Sequence, residues 1–516
     1  MNHKVTATFF ILTIASLFLH ASTDPPRLSS GTYLFIDDHW IETTENVTRS
    51  LNQPVRHPKN PVLHADQPWE DGMVVLQPGT VIFDEPEKLF KMWYEAPTND
   101  RDRNPSTFLC YATSRDGIEW QKPKIGLYEF QGSKNNNILF GAAQHGGNWF
   151  GHSVIKDNED SDSARRYKAI FWDHSPQELH GMFVAFSPDG VRWTRYSKDP
   201  VIPAWQTSDT SSVMWDPKSR EYVLFHKSPI HPVRKVARMV SKDFVHWEGG
   251  PVVLNPDAFD PSDTEFYGMS VFPYADRYLG LIWVFHTYLQ RIDVQLASSF
   301  DTLNWHRVLK RRVFLPLGYM KNDYSGESFD SEMVFPASQV VHHRGQLLIY
   351  YSGFNQTHNF FNNKSGIGLA TLRVDGFVSL DGAVRPGTVL TKPFIFDGQR
   401  LAANIEARYL PQYYGGGTVK AGEGRILRVE PTTGVLLGPP SDAGEADEGG
   451  ILRVEIQDVN RVPVRGYELT SSDPVKSTLN HLLTWKGTSD LSHLRGKVIR
   501  LKFVVSNAKF YSFQIQ

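Results

Sequence analysis

The sequence predicts an all-β protein, a five-bladed β-propeller followed by a C-terminal β-sandwich. Three observations carry this expectation. The pattern Ser-x-Asp-x-(apolar)-x-Trp is written four times, in "SRDGIEW" (114–120), "SPDGVRW" (187–193), "SKDFVHW" (241–247) and "SFDTLNW" (299–305). Each copy follows short β-branched and aromatic runs bounded by Gly, Pro, Asp or Asn, the composition of strands and turns. Past about residue 390 the pattern changes to longer runs with alternating faces, as antiparallel strands packed on one side require.

Taken in order, the chain opens with "MNHKVTATFFILTIASLFLHAS", a Lys and then an apolar run from Phe9 to Leu19. The run is short for a bilayer and small residues follow it, so residues 1–22 read as a cleaved signal peptide and the mature protein as secreted or periplasmic. "YLFIDDHWIE" (33–42) is a strand pair that either completes a blade or clasps the ring from outside. Four strand groups then lead into the Trp turns: "KLFKMWYEA" and "FLCYATS", "RRYKAIFWD" and "GMFVAFS", "REYVLFHK" and "RKVARMVS", "RYLGLIWVFH" and "IDVQLASS". Ser and Asp suit these turns because their side chains bond nearby backbone amides.

A fifth, degraded copy, "LATLRVDGFVSL" (369–380), keeps Asp375, Gly376 and Phe377 but has no Trp. Uneven spacing between copies fits blades with variable loops better than a solenoid. The propeller is placed at 31–392 and the sandwich at 393–516. Within the latter, 408–448 is Gly-, Pro- and Glu-rich with no core pattern, and is expected to be a flexible insertion.

The 516 residues are 40% hydrophobic and 21% charged, with net charge −2. No basic run is present, which argues against a nucleic-acid partner. The single cysteine, Cys110, can form no internal disulfide, so a large core must hold the exported chain. Beyond export no membrane association is expected, and the expected state is a monomer.

The stretches "YLFIDDHWIE", "RHPKNPVL", "FKMWYEA", "FYGMSVFPYADRYLGLIWVFH" and "HLRGKVIRLKFVVSNAKFYSF" resemble the five-bladed propeller glycoside hydrolases, the superfamily of families 32, 43, 68 and 130. They are most similar to a broad group of secreted bacterial proteins with a family-32-like N-terminal domain. The resemblance spans roughly 31–400 and 450–516, and implies hydrolysis of glycosidic bonds in an extracellular poly- or oligosaccharide. The invertase-type Trp-x-Asn-Asp-Pro-Asn-Gly motif is absent, as are Arg-Asp-Pro and Glu-Cys, so no catalytic residue transfers by motif.

Candidate acids come instead from position. Glycoside cleavage needs one carboxyl to protonate the leaving oxygen and another to attack carbon or activate water. In a propeller the starts of the innermost strands converge at one end of the axis. The segments opening the five units supply Trp69, Glu70 and Asp71; His152; Asp209; Asp263, Glu265 and Tyr267; and Asp330 and Glu332. Asp71, Asp209 and Glu265 are the expected catalytic acids. Trp69, His152, Asp173, His174, Tyr267, Asp330, Glu332 and His358 are expected to contact substrate. Asp and Ser before a strand are also ordinary turn formers, and this competing reading applies most to Glu70, Asp263 and Asp330.

The histidines show no HExxH spacing, so a catalytic zinc is not expected and no cofactor is assigned, although an acid-lined channel leaves room for a structural Ca2+. Two other functions fit the same pattern. One is a non-catalytic glycan-binding propeller; the other is a phosphorylase of the same fold, with Arg234 and Arg291 as its anion site.

Overall fold

The computed structural model describes residues 24–97, 107–140, 150–174, 179–230, 232–319, 328–359, 364–407 and 450–516. The signal segment, the 408–448 insertion and the side chain of His174 lie outside the described residues. The fold is all-β: the described residues form strands and four short 3-10 turns.

The first four sheets each begin with one long buried strand and step outward by antiparallel hairpins. The inner strands are Val75–Asp84, Phe150–Lys156, Ser211–Asp216 and Thr264–Tyr274. A fifth group is built on Met333–Pro336, Gln346–Phe354 and Ser365–Arg373, and a single parallel pairing of Ile292 with Met333 joins it to the fourth. Its outer edge is closed by Val55–Arg56 and Leu63–His64, from ahead of the first sheet.

Small hydroxyl residues link each inner strand to the next. Thr80 Oγ1 accepts from Val154 N at 2.8 Å, Ser153 Oγ from Val213 N at 3.2 Å, and Ser212 Oγ from Val271 N at 3.3 Å. Ser270 Oγ donates to Pro336 O at 3.1 Å, and the Ser338 and Thr80 hydroxyls meet at 2.8 Å, returning to the first strand. Ser and Thr serve here because their short side chains satisfy a buried amide or carbonyl of a neighbouring sheet while letting the backbones approach.

The repeated turn has one geometry in all four copies. In the first, Ser114 Oγ accepts from Gly117 N at 2.9 Å, and Asp116 Oδ1 accepts from Ile118 N at 2.9 Å and Glu119 N at 2.8 Å. Asp189, Asp243 and Asp301 do the same in their copies. The Trp then folds back; in the later three copies its indole N–H donates to a carbonyl of its own turn. The sequence pattern predicts all four Trp buried between sheets. Trp193 is buried, whereas Trp120, Trp247 and Trp305 are half-buried at the sheet margin.

The degraded fifth copy has a different task. Phe377 fills an apolar core, and Asp375 accepts from Tyr274 Oη at 2.9 Å, Ser512 Oγ at 2.6 Å and Asn404 Nδ2 at 3.2 Å. It ties the fourth and fifth sheet groups to the C-terminal unit.

That unit redraws the expected domain boundaries. One of its sheets contains Arg27–Ser29 and Ile41–Glu45 beside Gly387–Thr391, Phe394–Asp397, Ile451–Gln457 and Val498–Ser506. The other contains Gly31–Leu34 and Val47–Leu51 beside Val378–Gly382, Leu401–Ala407, Thr478–Leu482 and Ala508–Ile515. The first strands, expected in the propeller from residue 31, therefore belong with the C-terminal strands. The reason is apolar: Tyr33, Phe35 and Ile41 share one core with Phe394, Phe503, Phe510 and Phe513. "YLFIDDHWIE" does not close the last sheet, which Val55–Arg56 and Leu63–His64 edge. Its Leu34 and Ile36 instead pack from outside against Leu279, Leu281 and Phe377 of the fourth and fifth sheet groups, and Trp40 and Asp37 bond Asp276 and Arg277 at 2.6 and 2.8 Å.

Candidate active site

Because the first three strands of each sheet group pair antiparallel, the start of each inner strand lies at the same end as the connection between its second and third strands. At this end three inner strands lose regular pairing: between Val75 and Thr80, between Phe150 and Ser153, and between Phe266 and Gly268. Such irregularities turn side chains out of the pleat. The third leaves Tyr267 without a cross-strand partner in the register. Gly151 has φ +60°, and a Cβ there would lie 2.1 Å from the Asp209 carbonyl oxygen, so only glycine lets the second strand approach the third here. Ser211 Oγ donates to Gly151 O at 2.7 Å across that contact.

Two acid–cation pairs meet at Tyr267. Asp209 pairs with Lys227, and Glu265 with Arg234. Lys227 Nζ lies 4.5 Å from the centre of the Tyr267 ring, and the Arg234 guanidinium carbon 5.4 Å from it, within cation–π range. His358 Nε2 lies 3.2 Å from the Tyr267 hydroxyl. The Asp209 side chain is 33% exposed and that of Glu265 15%, so Asp209 is the more open carboxylate.

Burial, reinforced by the charge of Asp209, raises the Tyr267 phenol above its ordinary range and keeps it a neutral donor. Burial and the nearby Arg234 and Lys227 charges lower His358 below its ordinary value. Glu332 takes a two-bond grip from Arg291, at 2.6 and 3.0 Å, from the fourth sheet group to the fifth.

The structure thus gathers Asp209, Glu265, Tyr267 and His358 into one cluster. The other expected site residues sit in different surroundings. Asp71 occupies an exposed turn with φ +47°, and no described contact joins it to Asp209 or Glu265. Trp69 packs in the first sheet's core, with its indole N–H donating to Asn137 Oδ1 at 2.9 Å. The adjoining Glu70 is buried and accepts from Tyr94 Oη at 2.6 Å and Lys122 Nζ at 2.8 Å, as a structural acid does.

Asp330 is buried and binds Arg56 Nε at 2.6 Å and Tyr351 Oη at 2.8 Å. Asp173 is buried against Arg195 at 3.0 Å. His152 is fully buried, its Nδ1 2.9 Å from Glu95 Oε1 and its Nε2 3.0 Å from Trp93 O.

Sequence reasoning missed Lys227, which the strand "REYVLFHK" ends on, and Glu95, the lone acid closing "FKMWYEA". Glu95 is fully buried, and its Oε2 has no hydrogen-bond partner among the described residues. An acid directly after Met92, Trp93 and Tyr94 in a strand was the available signal. Arg234 and Arg291 each already hold a carboxylate. Among the described residues no group of three or more His, Cys, Asp or Glu side chains is placed to hold a metal ion.

No family model matches the chain. A curated relative is an invertase from Schwanniomyces occidentalis, 25% identical over 267 residues; the match covers 50% of this chain and 43% of the invertase, less than half of that protein's length. Similar solved structures include a fructofuranosidase from Schwanniomyces occidentalis complexed with fructosylnystose, with 12% identity, TM-score 0.43, and coverage of 90% of this chain and 99% of that one. A glycosyl hydrolase from Bacteroides ovatus has 14% identity, TM-score 0.44, and coverage of 63% and 94%.

Proposed function

We propose that this chain is an exported glycoside hydrolase acting on a poly- or oligosaccharide, with its site at the axis of a five-bladed propeller to which a C-terminal β-sandwich is attached. The ring of hydroxyl bonds through five inner strands supports the propeller, and the shared core of the two C-terminal sheets supports the sandwich. The observation that carries the function is the convergence of Asp209, just ahead of the third inner strand, and Glu265, at the start of the fourth, each paired with a cation that lies against the Tyr267 ring. Two carboxyl groups flanking an open site are the minimum for glycosidic cleavage: one donates a proton to the leaving oxygen, the other attacks the anomeric carbon or activates water. Tyr267 and His358 add neutral hydrogen-bonding groups beside them.

The test is turnover on a panel of polysaccharides and nitrophenyl glycosides. Asp209→Asn and Glu265→Gln preserve shape and remove the acid chemistry, so each lowers turnover by about two orders of magnitude or more while sugar binding persists. Glu70→Gln, at a buried structural acid, changes turnover far less. Wild-type turnover in both site variants would overturn the assignment. Binding without cleavage across the panel would make the protein a glycan-binding platform.

A further inference from the structure

Beside the acid cluster, between the second and third sheets, lies a cavity of about 300 Å3. Its wall includes the half-buried Trp172, Thr207, Ser208 and Ser228, and two cations, Lys227 and Arg234. The buried Thr207 hydroxyl meets His226 Nδ1 at 3.1 Å and that of Ser208 donates to Asp209 Oδ1 at 3.2 Å, which leaves Ser208 free to accept and Ser228 free to donate. No Asp or Glu lines it among the described residues. We propose that this pocket receives a hexuronic acid unit of the glycan, with the sugar carboxylate held by Lys227 and Arg234. The proposal rests on the glycan-processing reading above and names its substrate class.

The two cations are the same ones that pair with Asp209 and Glu265. Each therefore stands between an acid at the axis and the pocket. Arg234 spends Nη1 on Glu265, and its other N–H donors carry no hydrogen bond to a described residue. Lys227 is largely buried, its side chain 10% exposed, so its ammonium has lost much of its hydration. An oxyanion entering from the pocket side would accept charge-assisted hydrogen bonds from both.

A neutral sugar would leave the positive wall unanswered. Inorganic phosphate would answer the charge and could accept from Ser228, but it would leave the Trp172 ring without a role. A uronate pyranose uses all three features: its ring face meets the indole, its hydroxyls meet Ser208 and Ser228, and its carboxylate meets the cations. Occupation would also place the adjoining glycosidic bond on the Asp209 side of Lys227.

Calorimetry on the full-length mature chain tests this with polygalacturonate, alginate and glucuronoxylan, the carboxyl-reduced form of each, κ-carrageenan as a sulfate-bearing glycan, and inorganic phosphate. At least one uronate polymer is expected to bind, and its carboxyl-reduced form to bind about tenfold more weakly or worse, the loss of a charge-assisted hydrogen bond. Arg234→Gln should produce a similar loss for the uronate polymer only, and Arg234→Lys should recover part of it.

The wild-type comparison with reduced polymer needs no variant and stands even if Arg234→Gln fails to fold. Equal binding of reduced and native polymers, or binding confined to κ-carrageenan or to phosphate, would overturn the proposal. Hydrolysis is scored separately on the same panel. Uronate binding with no cleavage anywhere defeats the hydrolase reading and leaves the pocket standing, whereas binding and cleavage confined to neutral glycans does the reverse.

Discussion

Asp330, buried at the threshold of the fifth sheet group, receives the Arg56 guanidinium at 2.6 Å from a strand that precedes the first sheet. Tyr351 Oη donates to the same carboxylate at 2.8 Å. An acid at a position suited to the axis instead latches the two ends of the sheet-forming region. Removing it leaves the Arg56 charge with the Pro316 carbonyl and the Tyr351 ring, and no carboxylate. Asp330→Ala should therefore cost about 3 kcal/mol in chemical denaturation, as breaking one side of a buried pair does. A loss near zero would show that the closing strand is held by its backbone pairing alone.

The turn tryptophans should differ in weight. Trp193 is 9% exposed and packs among Trp93, Tyr167 and Phe183, so Trp193→Ala is expected to cost about 3–5 kcal/mol. Trp305, half-buried at the margin of its sheet, should cost clearly less. Equal losses from the two substitutions would mean that the turn, rather than packing, sets the cost.

Asp84 should contribute to acid sensitivity, alongside the turn acids Asp243 and Asp301, whose own turn groups also hold them low. Burial alone would raise the Asp84 carboxyl, but hydrogen bonds from Lys156, Lys91 and Tyr167 outweigh it and lower the group from 3.8 to about 2. A depressed folded-state value means that its stabilisation is fully present above the unfolded aspartate value and is lost as pH falls through about 2. The melting temperature of the wild type should drop between pH 4 and 2, and Asp84→Asn should flatten that part of the profile. An unchanged slope in the variant would assign the acid loss to other carboxylates.

Gly151→Ala probes the approach that shapes the site. Its φ of +60° and the Asp209 carbonyl 2.1 Å from a built Cβ both oppose a side chain. The strain is worth about 1–3 kcal/mol, relieved only by moving the Asp209 segment. Stability and turnover should fall together in this variant. Unchanged turnover at reduced stability would place the reacting groups away from Asp209.

Much of the architecture is determined by local chemistry and so was legible in the chain. Alternating apolar runs specify strands, and Ser114 and Asp116, like their counterparts, specify one turn because both side chains bond amides within a few residues. The candidate acids Asp209 and Glu265 could be named from position because an inner strand's start must lie at the axis end. What followed from tertiary structure alone was every partner distant in sequence. The same alternation in "YLFIDDHWIE" suits any sheet, and only the aromatic core shared with Phe503, Phe510 and Phe513 placed it in the C-terminal unit. Asp330 and Asp209 look alike in sequence, yet one meets Arg56 and Tyr351 inside the fold and the other meets Lys227 at an open edge. A carboxylate's role depends on its solvent and its counter-charge, and both are supplied by segments far along the chain.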